Sequence, residues 1–276
     1  MLVTVDIIGL FTNIPQDEAA QTAEEALDER ENKKVPTAFI VRLLDLIQKN
    51  NIFQFNSELY SQKIGGAMGQ RHVPHKANIF LARGIDNEIK QIAKAISENG
   101  TYPIKMMSRF LDDIFKIYLG STKNLHKLLE EINKIHPNIK FTMTHTTPAS
   151  EPEASRCSCT PQESVQFLDT SCSIKEGRII VDLYRKPTDR NQYLLTSSCH
   201  PATHTDNIPF SLALRIVRVC SEPDTRDQRL LEMRELLLDR SYRPGMVDAA
   251  ISRARAIPRT KALEYVAQDK QTCGYL

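Results

Sequence analysis

The sequence predicts an α+β protein, a largely antiparallel sheet with packed helices followed by an all-helical region, and three observations lead there. Short β-branched and aliphatic runs end on carboxylates, apolar residues recur at helical spacing between those runs, and beyond Pro209 the strand signature gives way to helix. The 276 residues are 41% hydrophobic, ample for a sizeable core. No stretch approaches the roughly 18 consecutive apolar residues of a membrane span, and the amino terminus lacks the basic-then-apolar order of a secretory signal. The chain therefore reads as soluble and intracellular, with no membrane partner.

Leu2 to Ile8 is a buried strand that starts with almost no lead-in, which predicts that an amino-terminal portion precedes it. Asn13-Ile14-Pro15 opens a helix with Asp17 and Glu18 in its first turn, and a second helix from Thr37 to Lys49 carries Ile40, Leu43, Leu44 and Ile47 at helical spacing. A hairpin follows, Ile52 to Phe55 and Leu59 to Ile64, turning at Asn56-Ser57. The glycine-rich turn Gly65 to Gly69 leads into a long helix from Pro74 to Ser97. Lys105 to Leu119 reads as two strands joined at Asp112-Asp113, Asn124 to Ile135 as a helix, and Lys140 to Thr146 as a strand. Thr147 to Ser164, rich in Pro, Ser, Cys and Glu, reads as a surface loop. Gln166 to Ile174 and Arg178 to Tyr184 form a hairpin turning at Lys175-Glu176-Gly177, and helices punctuated at Pro223, Pro244 and Pro258 complete the chain. A domain change falls near residue 200.

The net charge of +2 does not announce nucleic acid, but its distribution is uneven. From Pro209 to Lys261 ten arginines and one lysine face seven acids, a local excess of 11 − 7 = +4 in a helical region, which is either a solvated face or a phosphate-tracking one. The six cysteines include no C-x-x-C pair. Cys157 and Cys159 with Cys172 or Cys199-His200 do not have the spacing of a zinc ribbon or finger, so they read as reduced thiols.

Two adjacent carboxylates between apolar strands, Asp112-Asp113, repel each other and resist dehydration, so a cation is expected beside them unless the turn simply faces solvent. Mg²⁺ takes oxygen ligands and is commonly held by one or two carboxylates plus substrate phosphates. Asp6, at the end of another apolar strand, is the third candidate ligand. Two ions held by Asp6, Asp112 and Asp113 would activate an attacking 3′-hydroxyl and stabilise departing pyrophosphate.

The residues then become recognisable. Val5-Asp6-Ile7-Ile8-Gly9-Leu10-Phe11-Thr12-Asn13-Ile14-Pro15 resembles the first palm motif of reverse transcriptases in the form seen in Penelope-like retroelements. Gln62-x-x-Gly65-x-x-Met68-Gly69, with Pro74 and Ala77-Asn78-Ile79-Phe80, resembles the second, and Arg109-Phe110-Leu111-Asp112-Asp113-Ile114-Phe115 the metal-binding third. Phe167-Leu168-Asp169, Leu183 to Asp189, Ser198-x-His200-Pro201 and Ile208 to Ser221 are similar to later segments of the same elements. The ordered matches run from residue 3 to about 260.

That resemblance implies a right-hand polymerase palm over residues 1–200 and a helical thumb with the start of a connector over 201–276. It implies an RNA-directed DNA polymerase using two Mg²⁺ or Mn²⁺ ions, a primed RNA or DNA template and deoxynucleoside triphosphates. Asp6, Asp112 and Asp113 become catalytic metal ligands; Phe11 packs beneath the incoming sugar; Gln62, Gly65, Met68 and Gly69 line the nucleotide and template site. Arg185 and Lys186 lie beside the primer end, and Arg215 and Arg218, then Arg226 and Arg229, track duplex phosphates. A retroelement enzyme would work in the nucleus, although the sequence carries no nuclear signal.

The sequence also departs from that family. Val73 precedes Pro74 where serine is usual, Gln70-Arg71-His72 are unusual, Gly9 stands where serine is common, and Met143-Thr144 replaces the acid expected after Phe141-Thr142. Fingers are expected before Val3 and a GIY-YIG endonuclease after the thumb, so the sequence reads as a fragment. The alternative it leaves is a catalytically silent remnant that binds nucleic acid through its basic helices.

Overall fold

The computed structural model describes residues 1–97, 102–146 and 159–264. Its contacts divide the chain into two compact units, Met1–Phe167 and Leu168–Leu276. The change of unit thus falls between Phe167 and Leu168 rather than near 200, because Leu183 belongs to the second hydrophobic core.

In the first unit, β1 (Leu2–Ile7) occupies the middle of a five-stranded sheet. It is flanked by β5 (Asp113–Tyr118) and β6 (Phe141–Thr146), both antiparallel to it. The outer strands are β4 (Ile104–Phe110), antiparallel to β5, and β7 (Cys159–Gln162), parallel to β6. Side chains alternate across a strand, so Val3, Val5 and Ile7 share a face with Ile114, Phe141 and Met143, all buried. That face packs on α4 (Val73–Phe80), a π-helical turn at Leu81–Ile85, α5 (Asp86–Ile96) and α6 (Thr122–Ile132), which contribute Phe80, Leu81, Ile89, Leu125 and Leu129 to one core. The opposite face carries Thr4, Asp6, Asp113 and Phe115; there β8 (Ser164–Phe167) buries Val165 and sets Phe167 against Phe115 with ring centroids 5.5 Å apart.

Four further elements complete this unit. A single helical turn, α1 (Leu10–Asn13), follows β1 and precedes α2 (Gln16–Asp28). The helix α3 (Thr37–Lys49) and the hairpin β2 (Ile52–Phe55) and β3 (Glu58–Ser61) come next. Neither α3 nor the hairpin has a buried residue, so polar ties carry much of their attachment. Lys76 Nζ donates to Gln48 Oε1, Arg30 Nη2 to the Val35 carbonyl at 3.2 Å, and Gln70 Nε2 to Asn51 Oδ1 at 3.2 Å.

The second unit contains the hairpin β9 (Thr170–Lys175) and β10 (Arg178–Leu183), then α7 (Ala202–Val219), α8 (Pro223–Leu238), α9 (Pro244–Arg255) and α10 (Arg259–Leu263). Val217, Leu230, Met233, Leu237, Val247 and Ala254 are fully buried in its core. Proline opens α8 and α9 at the first helical position, where its missing N–H costs nothing.

Several boundaries differ from the sequence reading. The long helix expected from Pro74 to Ser97 contains the π turn. The acidic pair is not itself the turn: Leu111 and Asp112 make the corner, with Leu111 at φ 54°, and Asp113 is the first residue of β5. The strand expected from Gln166 to Ile174 breaks at Leu168, also at φ 54°. Helix α7 begins at Ala202 and buries Pro209 within it. Of the expected surface loop, 147–158 lies outside the described residues, while Cys159–Gln162 is strand.

Candidate active site

The site is built where β1 and β5 meet. Asp6 is the register partner of Asp113, and the Ile7 N–H donates to the Asp112 carbonyl at 3.2 Å, fixing the corner against the end of β1. Burial raises the Asp6 carboxyl above the usual range, the Asp112 charge raises it further, and the Ile7 N–H opposes both. Asp6 and Asp112 therefore form an electrostatic pair. Asp113 lies across the strand pair from Asp6 and has a polar contact of its own. Among the described residues no group of three or more His, Cys, Asp or Glu side chains is disposed to hold a metal ion. Two carboxylates suffice for a hard cation whose remaining ligands are water and phosphate oxygens, and Asp6 with Asp112 fits that requirement.

Beyond β1 the chain turns sharply. Gly9 sits at φ 55°, a left-handed conformation that favours glycine over serine. Thr12 Oγ1 donates to the Gly9 carbonyl at 2.9 Å and Asn13 Nδ2 to the Ile8 carbonyl at 3.0 Å. This local cage presents Phe11, half-buried and packed on the edge of the core.

The glycine turn docks directly on Phe11. The Gly66 N–H donates to the Phe11 carbonyl at 2.6 Å, and Gln16 Nε2 donates to the Gly65 carbonyl at 2.7 Å. Gly65, at φ 70°, has no room for a Cβ, which would overlap the Phe11 and Thr12 carbonyls. Val73 fills the space over Gly66, whose own Cβ would come within 2.7 Å of it. The departure from serine at 73 is thus absorbed into packing. Phe11, Gln16, Gly65, Gly66, Gln70 and Lys76 are among the residues lining a small pocket.

The remaining predicted residues divide. Met68 is 75% exposed and Gly69, at φ 95°, is open. Gln62 accepts from Asn51 Nδ2 at 2.7 Å and donates to the Ile64 carbonyl, so it braces the hairpin. Met143, in place of an acid, is a core residue beside Val5.

In the second unit, Arg185 Nη1 donates to Asn191 Oδ1 at 3.2 Å, and Lys186 is exposed. Arg215 makes two bonds to Asp169 at 2.8 and 2.6 Å, and Arg218 Nε donates to the Ala262 carbonyl at 2.7 Å. Arg226 lies 3.7 Å from Asp227. Arg229 is a clamp between Asp182 and Glu232. Burial alone would raise the Asp182 carboxyl; the Arg229 guanidinium and the Leu183 N–H outweigh it and hold it below the usual range. Most of these guanidiniums are therefore committed within the unit.

Sequence reasoning missed the roles of four charged residues. Lys116 is fully buried on the helix-facing side of β5, its Nζ lacking a hydrogen-bond partner, and burial lowers it to about 8 despite the attraction of Asp86. Lys76 is 9% exposed and lowered by burial. Arg109 and Asp86 form an ion pair, 11% and 16% exposed. The available signal was charge at positions where strand or helix periodicity calls for apolar side chains.

In fold, the chain is similar to a telomerase. The telomerase of Candida albicans, solved in complex with a TWJ fragment of telomeric RNA, superposes with a TM-score of 0.56 over 93% of this chain and 46% of that one, at 9% identity. The Sicinivirus 3Dpol RNA-dependent RNA polymerase (TM-score 0.47, 13% identity, 93% of this chain and 52% of that one) superposes less well. So does a truncated apo telomerase of Candida tropicalis (0.46, 12%, 66% and 35%). The chain spans about half or less of each of these proteins. A family model, the Animal helix-turn-helix domain, matches residues 192–252, well under half of the chain. No curated protein matches it in sequence. No helix among the described residues is long and apolar enough to cross a membrane.

Proposed function

We propose that the chain is the catalytic portion of a template-directed nucleotidyl transferase of the reverse-transcriptase type, adding deoxynucleotides to a primer 3′-hydroxyl. One observation carries this reading: two carboxylates, Asp6 near the end of β1 and Asp112 on the corner that precedes β5, interact electrostatically, with the Ile7 N–H bonded to the Asp112 carbonyl between them. The telomerase-like fold supports it, and the telomerase was solved with RNA.

Asp6 and Asp112 are the residues that would hold Mg²⁺ or Mn²⁺, with Asp113 as the adjoining acid. Bound there, the cation would lower the charge on substrate phosphates and make the 3′-hydroxyl easier to deprotonate. The protein's own part is positional. Phe11, whose backbone is tied to the Gly66 N–H, is the residue whose ring would collide with a ribose 2′-hydroxyl. Gly65 and Gly66 bring backbone rather than side chains against Phe11, and Gly69 leaves open space. Arg185, Lys186, Arg215 and Arg218 are proposed phosphate contacts, Arg215 by exchanging Asp169 for a phosphate.

The test is extension of a labelled DNA primer on matched RNA and DNA templates by the purified chain. Incorporation of deoxynucleotides that requires Mg²⁺ or Mn²⁺ and exceeds ribonucleotide incorporation is expected. Extension in the presence of excess chelator contradicts the reading.

A further inference from the structure

The corner that presents Asp112 is held from behind. Arg109, on β4, directs its Nε to both Asp86 oxygens at 3.1 Å and its Nη2 to Asp86 Oδ2 at 2.8 Å. Its Nη1 donates to Asn78 Oδ1 at 2.8 Å and to the Leu111 carbonyl at 3.3 Å. Leu111 is the non-glycine residue at φ 54° immediately before Asp112, a conformation such a residue keeps only when its surroundings enforce it. One guanidinium therefore joins two helices to the strained corner.

The helical side of this bracket depends on the π turn. Asn78 and Asp86 are eight residues apart, and eight residues of regular α-helix rotate by about 800°, leaving the two side chains about 80° out of line. The widened turn at Leu81–Ile85 accommodates an extra residue, returning Asp86 to the side of Asn78. The irregularity thus lets one planar fork reach both acceptors, something a lysine ammonium cannot copy.

We infer that Arg109 is a positioning residue for the site: with Asp86 and Asn78 it locks the Leu111–Asp112 corner and thereby sets the Asp112 carboxylate opposite Asp6. This rests on the nucleotidyl-transferase reading for its purpose, although the bracket can be tested without it. The corner also presents the Asp112 carbonyl to the Ile7 N–H, so the exchange rate of the Ile7 amide reports where the corner sits.

The experiment uses the full chain and three variants, Arg109→Gln, Arg109→Lys and Asn78→Ala. Ile7 amide exchange is followed by NMR, and Mn²⁺ binding, with no nucleotide present, by electron paramagnetic resonance. In Arg109→Gln, Ile7 exchange should quicken and Mn²⁺ affinity fall, each by about tenfold, while the core amide of Leu230 in the second unit is unchanged. Arg109→Lys should recover part of both losses. Asn78→Ala, which removes one acceptor and no charge, should shift both in the same direction and serves if Arg109→Gln does not fold. Unchanged Ile7 exchange in a folded Arg109→Gln or Asn78→Ala protein overturns the bracket. A wild-type chain that binds no Mn²⁺ defeats the nucleotidyl-transferase reading, and Ile7 exchange alone then decides whether Arg109 holds the corner.

Discussion

Lys116 shows what a single buried charge does to this molecule. It is enclosed among the aliphatic side chains of the first core, its Nζ has no hydrogen-bond partner, and its folded pKa is about 8 against 10.5 when free. A lysine whose folded pKa is depressed opposes folding in full below that pKa, and the opposition fades as pH rises from the folded to the unfolded value. Stability should therefore rise with pH between about 8 and 10.5, by roughly 3 kcal/mol at 1.36 kcal/mol per unit. Lys116→Met removes that burden and keeps most of the packing. Chemical denaturation should show it about 1–3 kcal/mol more stable than wild type at pH 7, with the gap closing as pH approaches 10. A variant equally stable or less stable at pH 7 would show that Lys116 is satisfied in solution.

At the scale of elements, the strands were the most legible part of the chain. Leu2–Ile7 and Phe141–Thr146 alternate or run apolar as a central strand must, and α3 matches its predicted bounds because Ile40, Leu43, Leu44 and Ile47 keep helical spacing. The hairpin at Asn56-Ser57 and the turn at Glu176-Gly177 were readable because left-handed positions select such residues. The breaks at Leu111 and Leu168 were not, since leucine gives no local signal for φ 54° and tertiary contacts enforce it. The π turn was equally hidden, because the partner of the two residues that flank it, Asn78 and Asp86, is an arginine on a distant strand. Asp6, Phe11 and the glycine turn could be named from sequence, but their junction, the Gly66 N–H on the Phe11 carbonyl, could not. That junction makes a prediction. Gly65→Ala must place a methyl against the Phe11 and Thr12 carbonyls at φ 70°, so thermal unfolding should report a loss of about 2–3 kcal/mol. A loss below about 0.5 kcal/mol, the range of ordinary surface changes, would mean the turn does not dock there.

Across the whole molecule, two cores of different make-up coexist in one chain. The first unit surrounds a central strand with buried aliphatics and carries the acidic pair, whereas the second is mostly helical and holds the basic excess read from Pro209 to Lys261. Much of that excess is engaged in pairs such as Arg229 with Asp182 and Arg234 with Asp248, so it contributes less phosphate-binding charge than its count suggests. The functional reading consequently rests on the first unit, and on Asp6 and Asp112 above all. Its most direct test compares primer extension by the wild-type chain with Asp6→Asn and Asp112→Asn, under Mg²⁺ and with folding checked by a cooperative thermal transition. The account predicts extension by the wild type and a loss of at least about a thousandfold in each variant, because removing either charge leaves the cation one carboxylate. Extension that survives Asp112→Asn undiminished would contradict it.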